Sequence, residues 1–171
     1  MAISMYQASV PVFQRMLANL EFILEKAEAS ALARKFDPQV LLRARLAPDM
    51  FDLTRQVQVA SDHAKGAPAR LAGVEPPPFE DKEATFAELV ARIEKTQAYL
   101  ASFEPAQIDG SEQRVVRMKA GQREFEFEGQ DYLLNFALPN FYFHTTTAYA
   151  ILRHNGVEIG KAAYLTGRKG F

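Results

Sequence analysis

Apolar residues recur at steps of three and four along most of this chain, and that spacing constrains its fold more than any other feature. Residues three or four apart share one face of an α-helix, so each such run marks a stripe that must be buried. Ile3, Tyr6, Val10, Phe13, Leu17, Leu20 and Leu24 predict a first helix over 3–28. Pro11 falls inside it and must either kink the helix or mark its true start, because proline has no amide donor. Asp37 and Pro38 read as an N-cap and first turn of a short helix, 38–45. A second long helix is predicted over 49–72, opening near Pro48 and Asp49. Its stripe of Leu53, Val57, Ala60, Ala64, Ala67 and Leu71 is small in the middle. Small residues there let a neighbour come close or leave room for a site. Gly66 and Pro68 are expected to distort its last turns.

Three prolines, 76–78, make a stiff crossover. A third helix follows over about 82–103, with Asp81 as its N-cap and Phe86, Leu89, Val90, Ile93, Leu100 and Phe103 inward. Glu88 and Arg92 stand four apart, which suits a solvated face. The period then changes to two. Residues 114–119 and 123–128 read as strands joined through Ala120, Gly121 and Gln122. Phe125 and Phe127 alternate with glutamates, so the hairpin offers either a pairing edge or a lid over the bundle mouth. The fourth helix is predicted over about 139–155, approached by a turn or two over 131–137 and stopped at Asn155-Gly156. Ala137, Asn140, His144, Ala148 and Ile151 share its inner face. These elements predict an all-α fold: one four-helix-bundle domain over 1–171, with a small β-hairpin inserted before the last helix.

Composition excludes several functions. The 171 residues contain no cysteine, so disulfides, zinc-thiolate sites and thiol nucleophiles are ruled out, and a cytoplasmic location is expected. Twenty basic against 21 acidic residues give a net charge of −1, so no nucleic-acid partner is expected. No apolar run reaches the roughly 20 residues a membrane span needs, and the N-terminus lacks the basic and apolar regions of a secretory signal. A bundle with 13 phenylalanines raises the expectation of a homodimer.

Chemistry falls to the three histidines. His144 and His154 stand roughly 80° and about 15 Å apart on one helix and cannot share an ion. His154, beside Arg153 at the helix end, reads as a residue favoured by the dipole. His63 lies beside the alanine stripe of the second helix. Asn140 and His144 are one turn apart on the inner face of the fourth, the arrangement of helical metal ligands. Both histidines also suit a core role, hydrogen-bonded and oriented by Asn140, Tyr142 or Thr147. Asp62, Glu21 and Glu25 read as solvated helix-face charges. Ser9 and Ser61 lack a nucleophile motif, and no phosphate loop is present.

The runs QVQVASDHAKG (56–66), NFYFHTTTAYAILRHNG (140–156) and GKAAYL (160–165) resemble the DinB/YfiT-like superfamily. Within it they are most similar to an uncharacterised bacterial family classed as a domain of unknown function. The resemblance implies an up-down-down-up bundle. It also implies a divalent metal, nickel or zinc, held by one histidine of the second helix and a His-x-x-x-His pair opening the fourth. His63 and His144 match two of these ligands, and Asn140 stands where the third histidine is expected. Thr145, Thr146 and Thr147 replace an Arg-Gly-Gln run. Some members of the superfamily are thiol-dependent transferases, which makes a degenerate metal enzyme one expectation. A non-catalytic module that binds a small ligand or a protein partner in a stress response is the other.

Overall fold

The computed structural model describes residues 2–169. Its long helices are α1 (Val10–Ala33), α3 (Leu53–Ala72), α4 (Phe86–Leu100) and α7 (Leu138–His154). Short helices α2 (Gln39–Leu42), α5 (Pro105–Ile108), α6 (Gly129–Asp131) and α8 (Lys161–Thr166) connect or flank them. Strands β1 (Val115–Ala120) and β2 (Arg123–Glu128) pair antiparallel and lead directly into α6.

Three helix starts differ from expectation, each for a reason of hydrogen bonding. α1 begins at Val10 rather than residue 3, with Pro11 in its first turn. Proline needs no partner there, and Ile3, expected in the stripe, is 78% exposed. α3 begins four residues later than expected because Asp52, not the Pro48-Asp49 pair, is the cap: its carboxylate accepts the Arg55 amide at 2.9 Å. α4 begins at Phe86 because Thr85 and Glu88 form a reciprocal capping box, so Asp81 caps nothing. α7 ends as expected: Gly156 takes φ 81° just past it, a conformation open to glycine.

Cross-helix partners give the topology. Along α3 and α7 the pairs run Gln56 with His144 and His63 with Phe136, followed by Arg70 with Tyr132, so the two helices are antiparallel. Phe13 meets Phe141 and Arg34 meets Asn155, so α1 runs parallel to α7. The crossover returns along α3, placing Asp81 at Arg55 and Glu83 at Gln58. α4 therefore starts level with the N-terminal half of α3 and runs parallel to it. The bundle is up-down-down-up. Its core holds Phe13, Leu17 and Leu24 of α1, the alanines 60, 64 and 67 of α3, Leu89 and Ile93 of α4, and Phe141 and Ile151 of α7.

Arg92 corrects the expectation of a solvated face on α4. It is only 3% exposed. Its guanidinium reaches Asp62 at 2.9 Å, Asp81 at 3.0 Å and Glu83 at 3.0 Å, and donates to the Glu80 carbonyl at 3.1 Å. Phe79 lies beneath it, with Lys65 and Lys95 each 4.2 Å from the ring centre. One cation thus ties crossover, α3 and α4 together. Removing a buried partner strands the others, so Arg92→Ala is expected to cost about 3 kcal/mol. Asp81→Asn, at a more solvated position, is expected to cost under about 1 kcal/mol. Urea unfolding distinguishes them; equal small losses would mean the prolines alone hold the crossover.

Candidate functional site

The fourth helix does not start cleanly. Residues Tyr132–Ala137 form a π-helical segment between α6 and α7. Pro139 accounts for it: its ring conflicts with the carbonyl four residues back and it offers no amide, so the preceding turns widen. The widened turns present Phe136 toward α3, its ring 6.0 Å from that of His63. Asn140 bonds back onto this segment, its Nδ2 donating to the Phe136 carbonyl at 2.7 Å.

His63 and His144 meet. Their rings lie 5.8 Å apart between centres and within 15° of parallel. Two imidazoles sharing an ion at bonds of about 2.1 Å are expected within about 5 Å of each other, and these ring centres stand slightly farther apart than that. His144 is buried at 8% exposure, between His63 on one face and Phe51 on the other, with Phe143 edge-on at 5.2 Å. Its Nδ1 donates to Gln56 Oε1 at 2.7 Å. The Gln56 amide is itself oriented, because its Nε2 donates to the Phe51 carbonyl at 3.3 Å. An amide oxygen only accepts, so the His144 proton sits on Nδ1 and Nε2 keeps its lone pair. His63 makes no hydrogen bond among the described residues. Its nitrogens are also not sealed: the buried side-chain polar atoms without a partner are Arg92 Nε and Ser111 Oγ.

Gln56 escaped the sequence reading, which looked for orienting groups at Asn140, Tyr142 or Thr147. The signal was present: Gln56 stands two helical turns before His63 and so shares its face. The three threonines point elsewhere. Thr145 and Thr146 hydroxyls meet the Tyr164 hydroxyl at 3.2 and 2.9 Å, and Thr147 bonds the Phe143 carbonyl. Thr145 and Thr146 fasten α7 to α8, and Thr147 bonds within α7, where the resemblance would place Arg-Gly-Gln.

The other candidates hold structural roles. Asp62 pairs with Lys65 and Arg92. Ser9 and Ser61 hydroxyls donate to the Met5 and Val57 carbonyls, each one turn back. Glu21 and Glu25 pair with Arg168, and His154 is exposed. One face of the hairpin packs inward, with Phe125 and Phe127 on Phe136 at 5.9 and 5.3 Å, while in this two-stranded sheet β2 has no strand on its outer edge among the described residues.

The structure brings His63 and His144 together; Asn140 stands one turn before His144, and among the described residues its side chain bonds only the Phe136 carbonyl. Among the described residues no three His, Cys, Asp or Glu side chains group as metal ligands. Two neutral imidazoles, one of them oriented by Gln56, fit a borderline divalent ion with open positions, and the absence of a carboxylate makes the fit a weak one. Both histidines are neutral near pH 7. Burial holds His63 down at about 4, helped by His144 and by Arg70, against a raising effect of Asp62. Burial, then Arg55, also lowers His144.

A family description, "Domain of unknown function (DUF1993)", matches residues 5–165. The chain belongs to the DUF1993 family. Its fold is similar to a crystal structure of a DinB family member protein from Shewanella denitrificans, at 44% identity and a TM-score of 0.85. That alignment covers 94% of this chain and 90% of the other. No curated protein matches. This DUF1993 chain is therefore a DinB-like helical bundle. Among its described residues no helix is long and apolar enough to cross a membrane.

The histidine environment sets a pH dependence. The unfolded chain protonates His63 near 6.5, the folded chain only near 4. Between these values the unfolded state binds more protons, so stability falls as pH drops from about 6.5 to about 4 and this contribution is flat below. The loss should be up to about 3 kcal/mol. His63→Gln is expected to flatten that part of the profile of melting temperature against pH; an unchanged slope would mean His63 is not desolvated.

Proposed function

We propose that this DinB-like chain carries a weak site for a divalent transition metal, nickel or zinc, held by His63 and His144 with Asn140 beside them. The carrying observation is the pairing of two neutral rings, 5.8 Å apart, with His144 fixed by Gln56 so that its Nε2 is free. A carboxamide behind a ligating imidazole sets the tautomer and the ring orientation, the usual second support of a metal histidine. Asn140 has its Nδ2 engaged by the Phe136 carbonyl, so its Oδ1 is the atom left to accept a cation or a ligand donor. Phe51 and Phe136 flank the rings and limit water around them. When bound, such an ion supplies a Lewis acid that lowers the pKa of a thiol or water beside it. Transfer onto a low-molecular-weight thiol is the reaction class to assay with loaded protein.

A non-catalytic small-ligand or protein-binding module is the second reading. One observation favours it: the third ligand position holds a neutral side chain whose amide is already hydrogen-bonded to its own helix.

Titration of chelator-treated protein with nickel and zinc separates the two. The metal reading expects saturable uptake and a rise in melting temperature by mass action. His63→Ala and His144→Ala should each abolish both effects. Gln56→Leu should leave the ligands but weaken affinity about tenfold to a hundredfold. No uptake by the unaltered protein, with the alanine variants changed only in stability, would overturn the metal reading in favour of the second.

A further inference from the structure

We propose that Arg70 forms an anion subsite beside the histidine pair, and that the ligand of this site is a small organic acid with an apolar body. The inference rests on the site proposed above and names what would sit in it. Arg70 follows Gln56 and His63 at seven-residue steps, so the three share one face of α3. The other cations nearby on this helix have counter-ions: Arg55 pairs with Asp81 and Lys65 with Asp62. Arg70 is half-buried and pairs with no carboxylate among the described residues. Its one side-chain partner is the buried Tyr132 hydroxyl, 3.2 Å from Nη1. A charge partly removed from water without a counter-ion is costly to hold, and a bound anion relieves that cost.

The guanidinium is placed, not merely present. It folds back along α3 over Gly66, where a Cβ would run into Nη1. Glycine at 66 therefore lets the charge lie one turn closer to His63. Asp62, adjacent to His63 in sequence, is paired with Lys65 and Arg92 rather than with Arg70. The apolar part of the ligand has a surface to meet. Phe136 lies against His63, Phe125 and Phe127 pack on Phe136, and all three rings are half-buried. The β2 glutamates alternate to the opposite face of the strand. A planar guanidinium recognises a carboxylate or phosphonate through two parallel bonds, which a lysine cannot reproduce.

The probes are benzoate and phenylphosphonate, with neutral benzamide as control, added at millimolar levels to the full chain while histidine ring signals are followed by NMR. Saturable shifts of the His63 signals are expected with at least one anion and not with benzamide. Arg70→Gln should weaken binding about tenfold or more, and Arg70→Lys should recover only part of it. Gly66→Ala keeps the charge but displaces it, and should weaken anion binding several-fold with nickel uptake unchanged. It decides the matter if Arg70→Gln fails to fold. No shift with either anion, or equal affinity in Arg70→Gln and Gly66→Ala, would overturn the proposal. Nickel uptake without anion binding sinks the anion subsite alone; anion binding without nickel uptake sinks the metal reading alone.

Discussion

The close antiparallel packing of α3 on α7 is the constraint on which everything else in this protein rests. Ala60, Ala64 and Ala67, all fully buried, keep side-chain bulk low along the inner face of α3. Ridges of small residues shorten the distance between helix axes. Only at such a separation can Gln56 reach His144 directly and the ring of His63 stack on it. Of the polar residues of the seam, Gln56 and His144 are buried and His63 is half-buried. The same stripe that stabilises the bundle therefore also brings its two interior imidazoles together.

A second, electrostatic device holds the other side of α3. The crossover after α3 has no regular structure over residues 74–84, yet Arg92 gathers Asp62, Asp81 and Glu83 around it. A charge this buried is tolerable only because several hydrogen-bonded partners share it. One consequence reaches the site. Asp62, adjacent to His63 in the chain, is drawn toward Arg92 and Lys65, so His63 has no hydrogen-bonded carboxylate. Its ring stays neutral and its nitrogens stay available, whereas a direct bond to Asp62 would favour the charged form.

The π-helical segment shows how local strain shapes the site. Pro139 makes a regular helix through 132–139 impossible, and the widened turns carry Phe136 to the face of His63. Insertions of this kind gather at functional sites because they re-aim side chains without ending the helix. Here the segment also provides the carbonyl that Asn140 engages, and the aromatic base on which the hairpin lies. Hairpin and π-segment thus meet at Phe136, whose ring also lies against His63 of α3.

Spacing alone determined the four helices, the hairpin and the stop at Gly156, since amphipathic periods and glycine conformations are local properties of a chain. It also marked His63, Asn140 and His144, because i,i+4 geometry is local too. Helix starts were less legible: Asp49, Asp52, Asp81 and Thr85 are all capping types, and choosing among them depends on which amides the fold leaves free. Arg70 and Arg92 were decided by tertiary structure alone, and so was the bond from Gln56 to His144, although the face Gln56 shares with His63 was legible from spacing. A glutamine, an unpaired arginine and a buried arginine look like ordinary helix-surface residues in sequence. Their roles exist only because α3, α4 and α7 meet, and a side chain's partners across an interface are set by the register of that meeting rather than by its neighbours along the chain.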